Sequence, residues 1–263
     1  MKYYRDKTVL ITGASSGIGE ALALELAEQG ARLILAARRM GELQRVGAAC
    51  ELLGAKEILC LEVDVTIKEQ VQKLIQTLRD KNWTIDVLIN NAGISQRALI
   101  SESKEEVERQ IMEVNYFAPV YLSKEIRPLF SKEAHMVIIS SLSGLFGFPL
   151  RSTYAASKHA LKGFFESWQV ENPHPAISLV FPGRIQSNIS LHALEGDGTK
   201  HAVMDKAQEE GMPAKECAQI ILKGTAKKKK KIVIGRKEVI LYRFYQYLPP
   251  LYYKIASTIK ANG

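Results

Sequence analysis

The sequence predicts an α/β protein: a doubly wound, three-layer fold with a seven-stranded parallel sheet in a single domain. Three observations predict it. Strand-like apolar runs alternate with helix-like stretches along most of the 263 residues, the order expected of βαβ units. Those runs lack strict polar alternation, as strands covered on both faces do. A glycine-rich turn joins the first run to the first helical stretch, on the edge where such a sheet opens its ligand crevice.

The elements follow in order. "KTVLIT" (7–12) reads as a buried strand and 17–30 as a helix closed by Gly30. "RLILAA" (32–37) is the second strand, followed by an amphipathic helix from Met40 to about Leu53. "EILCLEVDV" (57–65) is the third, with a helix over 67–80. "IDVLINNAG" (85–93) is the fourth and runs into a glycine turn, after which a long helical stretch is expected over about 103–130. "HMVIIS" (135–140) is the fifth strand and 152–171 the fifth long helix. "AISLVFPG" (176–183) and "KIVIG" (231–235) complete the sheet. Residues 184–212 are irregular and sit at the ligand edge, where long loops often act as lids over substrate. No linker composition divides the chain. Residues 1–238 are expected to form one dinucleotide-binding and catalytic domain, and 239–263 an extension.

Composition narrows the class. With 46% hydrophobic and 24% charged residues the chain can bury a sizeable core. No run of about 18 apolar residues offers a membrane span, and "MKYYRDK" leads into a strand rather than a targeting segment. Cys50, Cys60 and Cys217 are odd in number and lack metal-ligand spacing. They read as reduced thiols of a cytoplasmic protein with no metal. The net charge is +8, and five cations sit together at Lys227–Lys231. That run reads as a solvated loop before a strand, not as a nucleic-acid site. His135 and His174, near strand starts, read as surface residues, and His159 as structural.

The chemistry begins at "TGASSGIGE". Gly13, Gly17 and Gly19, with Ser15, Ser16 and Ile18 between them, form a turn opening a helix. Glycines allow close backbone approach to a pyrophosphate, and the helix N-terminus supplies N–H groups. The spacing, G-x-x-x-G-x-G, is not the dinucleotide fingerprint G-x-G-x-x-G, but the strand–turn–helix context supports a Rossmann-type dinucleotide site. No Lys-Ser/Thr pair ends the loop, which argues against triphosphate binding. An acid after the second strand would bind ribose hydroxyls, but Ala37 stands there, followed by Arg38 and Arg39. Guanidinium groups suit a 2′-phosphate, so NADP(H) is expected over NAD(H). The plainer alternative is a surface arginine pair at a helix start, where it would oppose the dipole.

"STYAASKHA" (152–160) places Tyr154 and Lys158 four apart, on one helix face. An ammonium beside a phenol can lower its pKa and make it a proton donor or acceptor. Tyr3 and Lys7 share that spacing but precede the first strand, away from the crevice, with no serine partner.

With the cradle, "NNAG" (90–93), "SS" (140–141) and "YAASK" (154–158) in this order, the chain resembles the short-chain dehydrogenase/reductase family, in its single-domain branch, over about 7–235. "LAARR" and "PGRIQSNIS" resemble its dehydrogenase/reductase member-7-like group. The resemblance implies the following roles. Tyr154 is the proton donor or acceptor. Lys158 binds the nicotinamide ribose and lowers the tyrosine pKa. Ser141, thirteen residues before the tyrosine, is the catalytic serine rather than Ser140. Asn115, in "MEVNYFA", supports a proton-relay water. Asn91, Ala92 and Gly93 lie beside the adenine-side ribose, and Asp64 and Val65 recognise adenine. Pro182, Gly183 and Ile185 face the nicotinamide carboxamide, with Ser187 where the family often has threonine. Arg38 falls on the basic position of NADP-preferring members.

The implied reaction passes hydride between NADP(H) and a carbonyl or secondary alcohol, with Ser141 and Tyr154 touching the substrate oxygen. Leu142, Leu145, Phe146 and Phe148 after the serine suit a lipophilic substrate. Relatives usually form homodimers or homotetramers through the long fourth and fifth helices. The rival reading is a catalytically idle dinucleotide-binding scaffold or sensor, which predicts a broken catalytic set, whereas Ser141, Tyr154 and Lys158 are all present.

The extension "VILYRFYQYLPPLYYKIASTIK" (239–260) carries half of the chain's 10 tyrosines, with Arg243, Lys254 and Lys260. Pro249 and Pro250 should split it into two short helices. Packing on the domain or over the pocket is the favoured reading. Peripheral membrane contact, which tyrosines and basic residues also suit, is the alternative.

Overall fold

Every residue of β1 (Thr8–Thr12) is buried, and a strand with no exposed face needs cover on both sides. The chain supplies that cover by alternation, in a computed structural model that describes residues 3–203 and 206–258. Lys260 of the extension lies outside the described residues, with 1–2, 204–205, 259 and 261–263. After β1 come α1 (Gly17–Ala27), β2 (Arg32–Ala37), α2 (Met40–Leu52), β3 (Glu57–Glu62), α3 (Lys68–Asp80) and β4 (Ile85–Asn90). α4 (Glu105–Met112), α5 (Ala118–Glu125), β5 (Phe130–Ile139), α6 (Ser152–Glu171) and β6 (Ala176–Pro182) follow. The chain continues through α7 (Lys206–Glu209), α8 (Ala214–Ala226), β7 (Lys231–Ile234), α9 (Lys237–Tyr247) and α10 (Pro249–Thr258).

The seven strands lie in the order β3-β2-β1-β4-β5-β6-β7, all parallel. This is the doubly wound Rossmann sheet. Its strand order reverses between β1 and β4, which sets the ligand crevice at their carboxyl ends. Val9, Ile11, Val87 and Ile89 face α1, α2 and α8. Leu10, Leu88, Met136 and Ile138 face α3, α5 and α6. Helix faces match that plan: Val71, Leu74, Ile75 and Leu78 of α3 are its buried residues, at the i, i+3, i+4, i+7 spacing of one apolar stripe.

The expected helical stretch over 103–130 forms from Glu105 but is not regular throughout. α4 runs into a π-helical turn at Glu113–Phe117, which continues in helical backbone into α5 with a proline in its first turn. A second proline sits in a 3₁₀ turn at Arg127–Leu129 and ends the helical run. β5 therefore begins at Phe130, five residues before the expected start, and the β4–β5 register shifts between Ile85 and Val87.

That early start corrects the reading of His135. It lies inside β5 and is 1% exposed. Ser178 Oγ gives its proton to the Lys229 carbonyl (2.6 Å) and so accepts from His135 Nε2 (2.9 Å). Burial, aided by the charges of Lys228 and Lys7, pulls the imidazole down to about 4, so it is neutral. His174 is exposed, and His159 Nδ1 donates to the Ala155 carbonyl (2.9 Å).

Leu248 separates α9 from α10, which opens on Pro249 and Pro250. Their inner sides close over Phe146, whose ring centroid lies 6.1 Å from Tyr242, 6.0 Å from Tyr245 and 5.5 Å from Tyr252. The Tyr252 hydroxyl donates to the Gly147 carbonyl. Among the described residues no helix is long and apolar enough to cross a membrane. The three cysteines are unpaired, with Cys50 and Cys217 buried.

Candidate active site

The crevice starts with two turns pressed together. Gly13 has φ +65°, and a Cβ there would come within 2.9 Å of Ala92 Cα. A Cβ on Gly19 would strike the Gly13 carbonyl oxygen. Only glycine lets the β1–α1 turn lie this close to the turn after β4. Asn91 fastens them, its Nδ2 donating to the carbonyls of Thr12 (3.0 Å) and Gly13 (3.1 Å). The Thr12 hydroxyl accepts from the backbone N–H groups of Asn91 (3.0 Å) and Ala92 (3.1 Å). α1 has no side-chain cap at Ser16, so first-turn N–H groups remain free for an anion in the crevice.

Cations gather at one end. Arg39 Nη2 donates to Ser15 Oγ (3.1 Å) and Ser16 Oγ (3.2 Å). Arg38 Nη1 lies 3.8 Å from Asp64 Oδ2, and Asp64 Oδ1 accepts from the Thr66 N–H (3.0 Å) and hydroxyl (2.7 Å). His192 and Lys200, from the loop after β6, line the same crevice. Burial, then the charges of Arg39, Lys200 and Arg38, hold His192 below the usual imidazole range.

At the other end α6 presents Tyr154 and Lys158, 9% and 4% exposed. Lys158 Nζ donates to the Ile139 carbonyl (3.0 Å) and sits 5.8 Å from the Tyr154 ring centroid. Burial brings the ammonium down to about 8. Burial also raises the Tyr154 phenol, with a Ser141 hydrogen bond and the Arg151 charge acting the other way. The expected lowering of the phenol by Lys158 is thus not what the structure holds. Both groups are buried, and burial favours the neutral form of each.

The two serines part company. Ser140 Oγ donates to the Lys158 carbonyl (3.0 Å) and ties β5 to α6. Ser141 Oγ accepts from Ser143 N–H (3.1 Å) and caps the turn over Leu142–Gly144. Asn115, fully buried in the π-helical turn, accepts from Ile94 N–H (2.9 Å) and donates to its carbonyl (2.9 Å). Its Nδ2 also donates to Ser157 Oγ (3.0 Å), which donates to the Tyr154 carbonyl (2.7 Å).

Nearly every residue singled out from the sequence lines one crevice of about 690 Å³: Gly13, Ser15, Ser16, Gly17, Ile18, Arg38, Arg39, Asp64, Val65, Asn91, Ala92, Gly93, Ser141, Tyr154, Lys158, Pro182, Gly183, Ile185 and Ser187. Gly19 and Asn115 do not line it; they stand behind the wall they shape. Leu142, Phe146 and Phe148 line it, and Leu145 does not. Tyr3 and Lys7 form a separate cation–ring pair at 4.9 Å, before β1 and so at the far end of the sheet.

Three contributors were missed, Thr12, Gln96 and Glu238, while His192 and Lys200 belong to the 184–212 loop expected at the ligand edge. Gln96 is fully buried. Its Oε1 accepts from the N–H groups of Thr153 (2.9 Å) and Tyr154 (3.3 Å), capping an α6 start that lacks its own side-chain cap. Its backbone bridges to Leu194 of the loop after β6. Glu238 reaches back from α9 to accept from Arg184 N–H (2.9 Å). A hydroxyl ending β1, an acid after β7 and a glutamine after the asparagine turn are the signals present in the sequence.

Fold and crevice together define a class: Rossmann proteins that carry a tyrosine–lysine helix beside their glycine turn. Comparison with known proteins names it. The short chain dehydrogenase family model matches residues 7–209. Dehydrogenase/reductase SDR family member 7 of Homo sapiens is 36% identical over 253 residues, covering 93% of this chain and 75% of the relative. Member 7B of Bos taurus is 35% identical over 266 residues, covering 97% and 82%. The chain belongs to the short-chain dehydrogenase/reductase family, oxidoreductases that use nicotinamide dinucleotides. Two solved structures share the fold, each at 24% identity. A Burkholderia phymatum short chain dehydrogenase/reductase in complex with NAD has a TM-score of 0.83 and covers 95% of this chain and 96% of its own. An alcohol dehydrogenase from Thermococcus sibiricus with 5-hydroxy-NADP has a TM-score of 0.76 and covers 88% and 97%.

Proposed function

We propose that this protein is an NADP(H)-dependent carbonyl reductase, or secondary-alcohol dehydrogenase in reverse, acting on lipophilic substrates in the cytoplasm. The observation that carries it is a single crevice with Arg38 and Arg39 at one end and Ser141, Tyr154 and Lys158 at the other. The residues fit the dinucleotide. Gly13 and Gly19 leave the space a Cβ would fill, the uncapped start of α1 suits a pyrophosphate, and the arginines suit a 2′-phosphate. The bound dinucleotide supplies the hydride.

The chain's own groups do the rest. Ser141 Oγ accepts Ser143 N–H, and its hydroxyl proton, directed at Tyr154, would turn to the substrate oxygen and stabilise developing alkoxide charge. Tyr154, raised by burial, holds its proton at neutral pH, the form that reduction requires. Lys158, at about 8, is mostly an ammonium at pH 7 and serves ribose hydroxyls near Gly93, where its Nζ would lie 3.4 Å from an added Cβ. Asn115 positions α6 through Ser157 and holds the Ile94 backbone for a relay water. Leu142, Phe146 and Phe148 give the substrate end an apolar wall. A homodimer or homotetramer through α4, α5 and α6 fits the exposed Phe117 between them.

The test is oxidation of NADPH against NADH over a panel of lipophilic carbonyls, with Tyr154→Phe alongside. The variant should bind nucleotide and lose about 10²–10⁴-fold in turnover. Equal turnover in the variant would overturn the mechanism, and equal kcat/KM for the two nucleotides would overturn the cofactor preference. Binding without turnover of any carbonyl would favour the idle scaffold.

A further inference from the structure

The α9–α10 hairpin has two unlike sides. Its inner side is occupied, with Tyr242, Tyr252 and Ala256 buried and Tyr245 closed on Tyr252 at 5.2 Å. Its outer side is bare of protein. Ile240, Tyr247, Leu248 and Tyr253 are 55%, 77%, 52% and 63% exposed. Ile240, Arg243 and Tyr247 follow the i, i+3, i+7 spacing of one helix face, and Leu251 and Lys254 repeat i, i+3 on α10.

The charge on this side has one sign. Arg243 and Lys254 are exposed, and no Asp or Glu occurs between Val239 and Thr258. Glu238, at the hairpin's root, is turned inward onto Arg184 N–H. Folding explains the inner side and leaves the outer one without a reason. A two-fold contact with a second copy would set these cations against one another. An anionic lipid surface matches both properties. Tyrosine rings favour the headgroup level, and lysine and arginine are drawn to acidic headgroups.

We propose that the outer side of the α9–α10 hairpin docks on an anionic lipid bilayer, with tyrosine and aliphatic side chains at headgroup depth and the cations on acidic headgroups. Lys237 and Leu241 of the same helix line the crevice, and Phe146 joins the crevice wall to the hairpin's inner side. Docking therefore sets the substrate end of the crevice beside the lipid. An apolar substrate would reach it there, a consequence that rests on the proposed activity; the docking itself does not.

The full chain should be co-sedimented with vesicles of phosphatidylcholine alone and of phosphatidylcholine with phosphatidylserine. Binding should require the acidic lipid and weaken with salt. Arg243→Glu with Lys254→Glu should lower the partition by about tenfold or more. Tyr247→Ser with Leu248→Ser and Tyr253→Ser should lower it similarly. These side chains are exposed, so both variants should keep wild-type reduction of a water-soluble carbonyl, or wild-type nucleotide affinity if no carbonyl is turned over. Equal binding to both vesicles, no binding to either, or variants that bind like wild type would overturn the proposal. A triple variant whose solution mass falls while vesicle binding persists would assign the face to contacts between copies instead.

Discussion

Lys158 shows what the crevice demands of single residues. Its ammonium is buried and brought from the ordinary 10.5 to about 8. Between those two values the unfolded chain binds a proton that the folded chain does not. Stability should therefore rise as pH increases from about 8 to 10.5, by about 3 kcal/mol for this group alone. At pH 7 the charged form is a burden on the fold, relieved in part by the Ile139 carbonyl. Lys158→Met should thus melt at or above the wild-type temperature at pH 7, lose the rise in stability above pH 8, and lose activity by 10²-fold or more, on the order of a general acid–base contribution. Melting curves across pH in both proteins check this, and a variant that melts well below wild type would contradict it. Tyr154 and Lys158 were legible through their context, the glycine cradle before them and Ser141 thirteen residues upstream, since Tyr3 and Lys7 share the same spacing. Their titration was not, because burial is set by elements far away in sequence.

Among elements, the β1–α1 and β4 turns act as one unit held by Thr12. Its hydroxyl satisfies two N–H groups from the turn after β4, and an unmet buried donor costs about 1–3 kcal/mol. Thr12→Val keeps the shape and removes that acceptor. It should lower stability by about 2–4 kcal/mol and raise the nucleotide Kd more than it lowers kcat, read by denaturant titration and nucleotide fluorescence. Unchanged nucleotide affinity would show that the two turns do not act together. Strands were legible because burial on both faces leaves unbroken apolar runs, as in β1 and β2. Inside 103–130, Pro119 and Pro128 were signals in plain view that went unused, whereas the π-helical turn inserts its extra residue without changing composition. Thr12, Gln96 and Glu238 escaped for a different reason. Their partners lie 79, 57 and 54 residues away, and such contacts leave no period to read.

At the scale of the molecule, the crevice lies between the two halves of the sheet and borrows walls from both, so nucleotide should stabilise the whole fold. Ligand at about 100 times its Kd adds about 2.7 kcal/mol. NADPH should raise Tm more than NADH at equal concentration, and Arg38→Ala with Arg39→Ala should bring the two shifts together. Differential scanning fluorimetry measures both, and a larger shift with NADH would reverse the cofactor assignment.

Gln96 carries one more consequence. One side chain caps the start of α6 while its backbone pairs with Leu194 of the loop after β6. Loop and helix start should therefore breathe as a single opening unit. In hydrogen–deuterium exchange the amides of Thr153 and Tyr154 should exchange in step with that of Leu194, and Gln96→Ala should release all three. Tyr154, the proposed proton donor, would then be clocked by the loop above it.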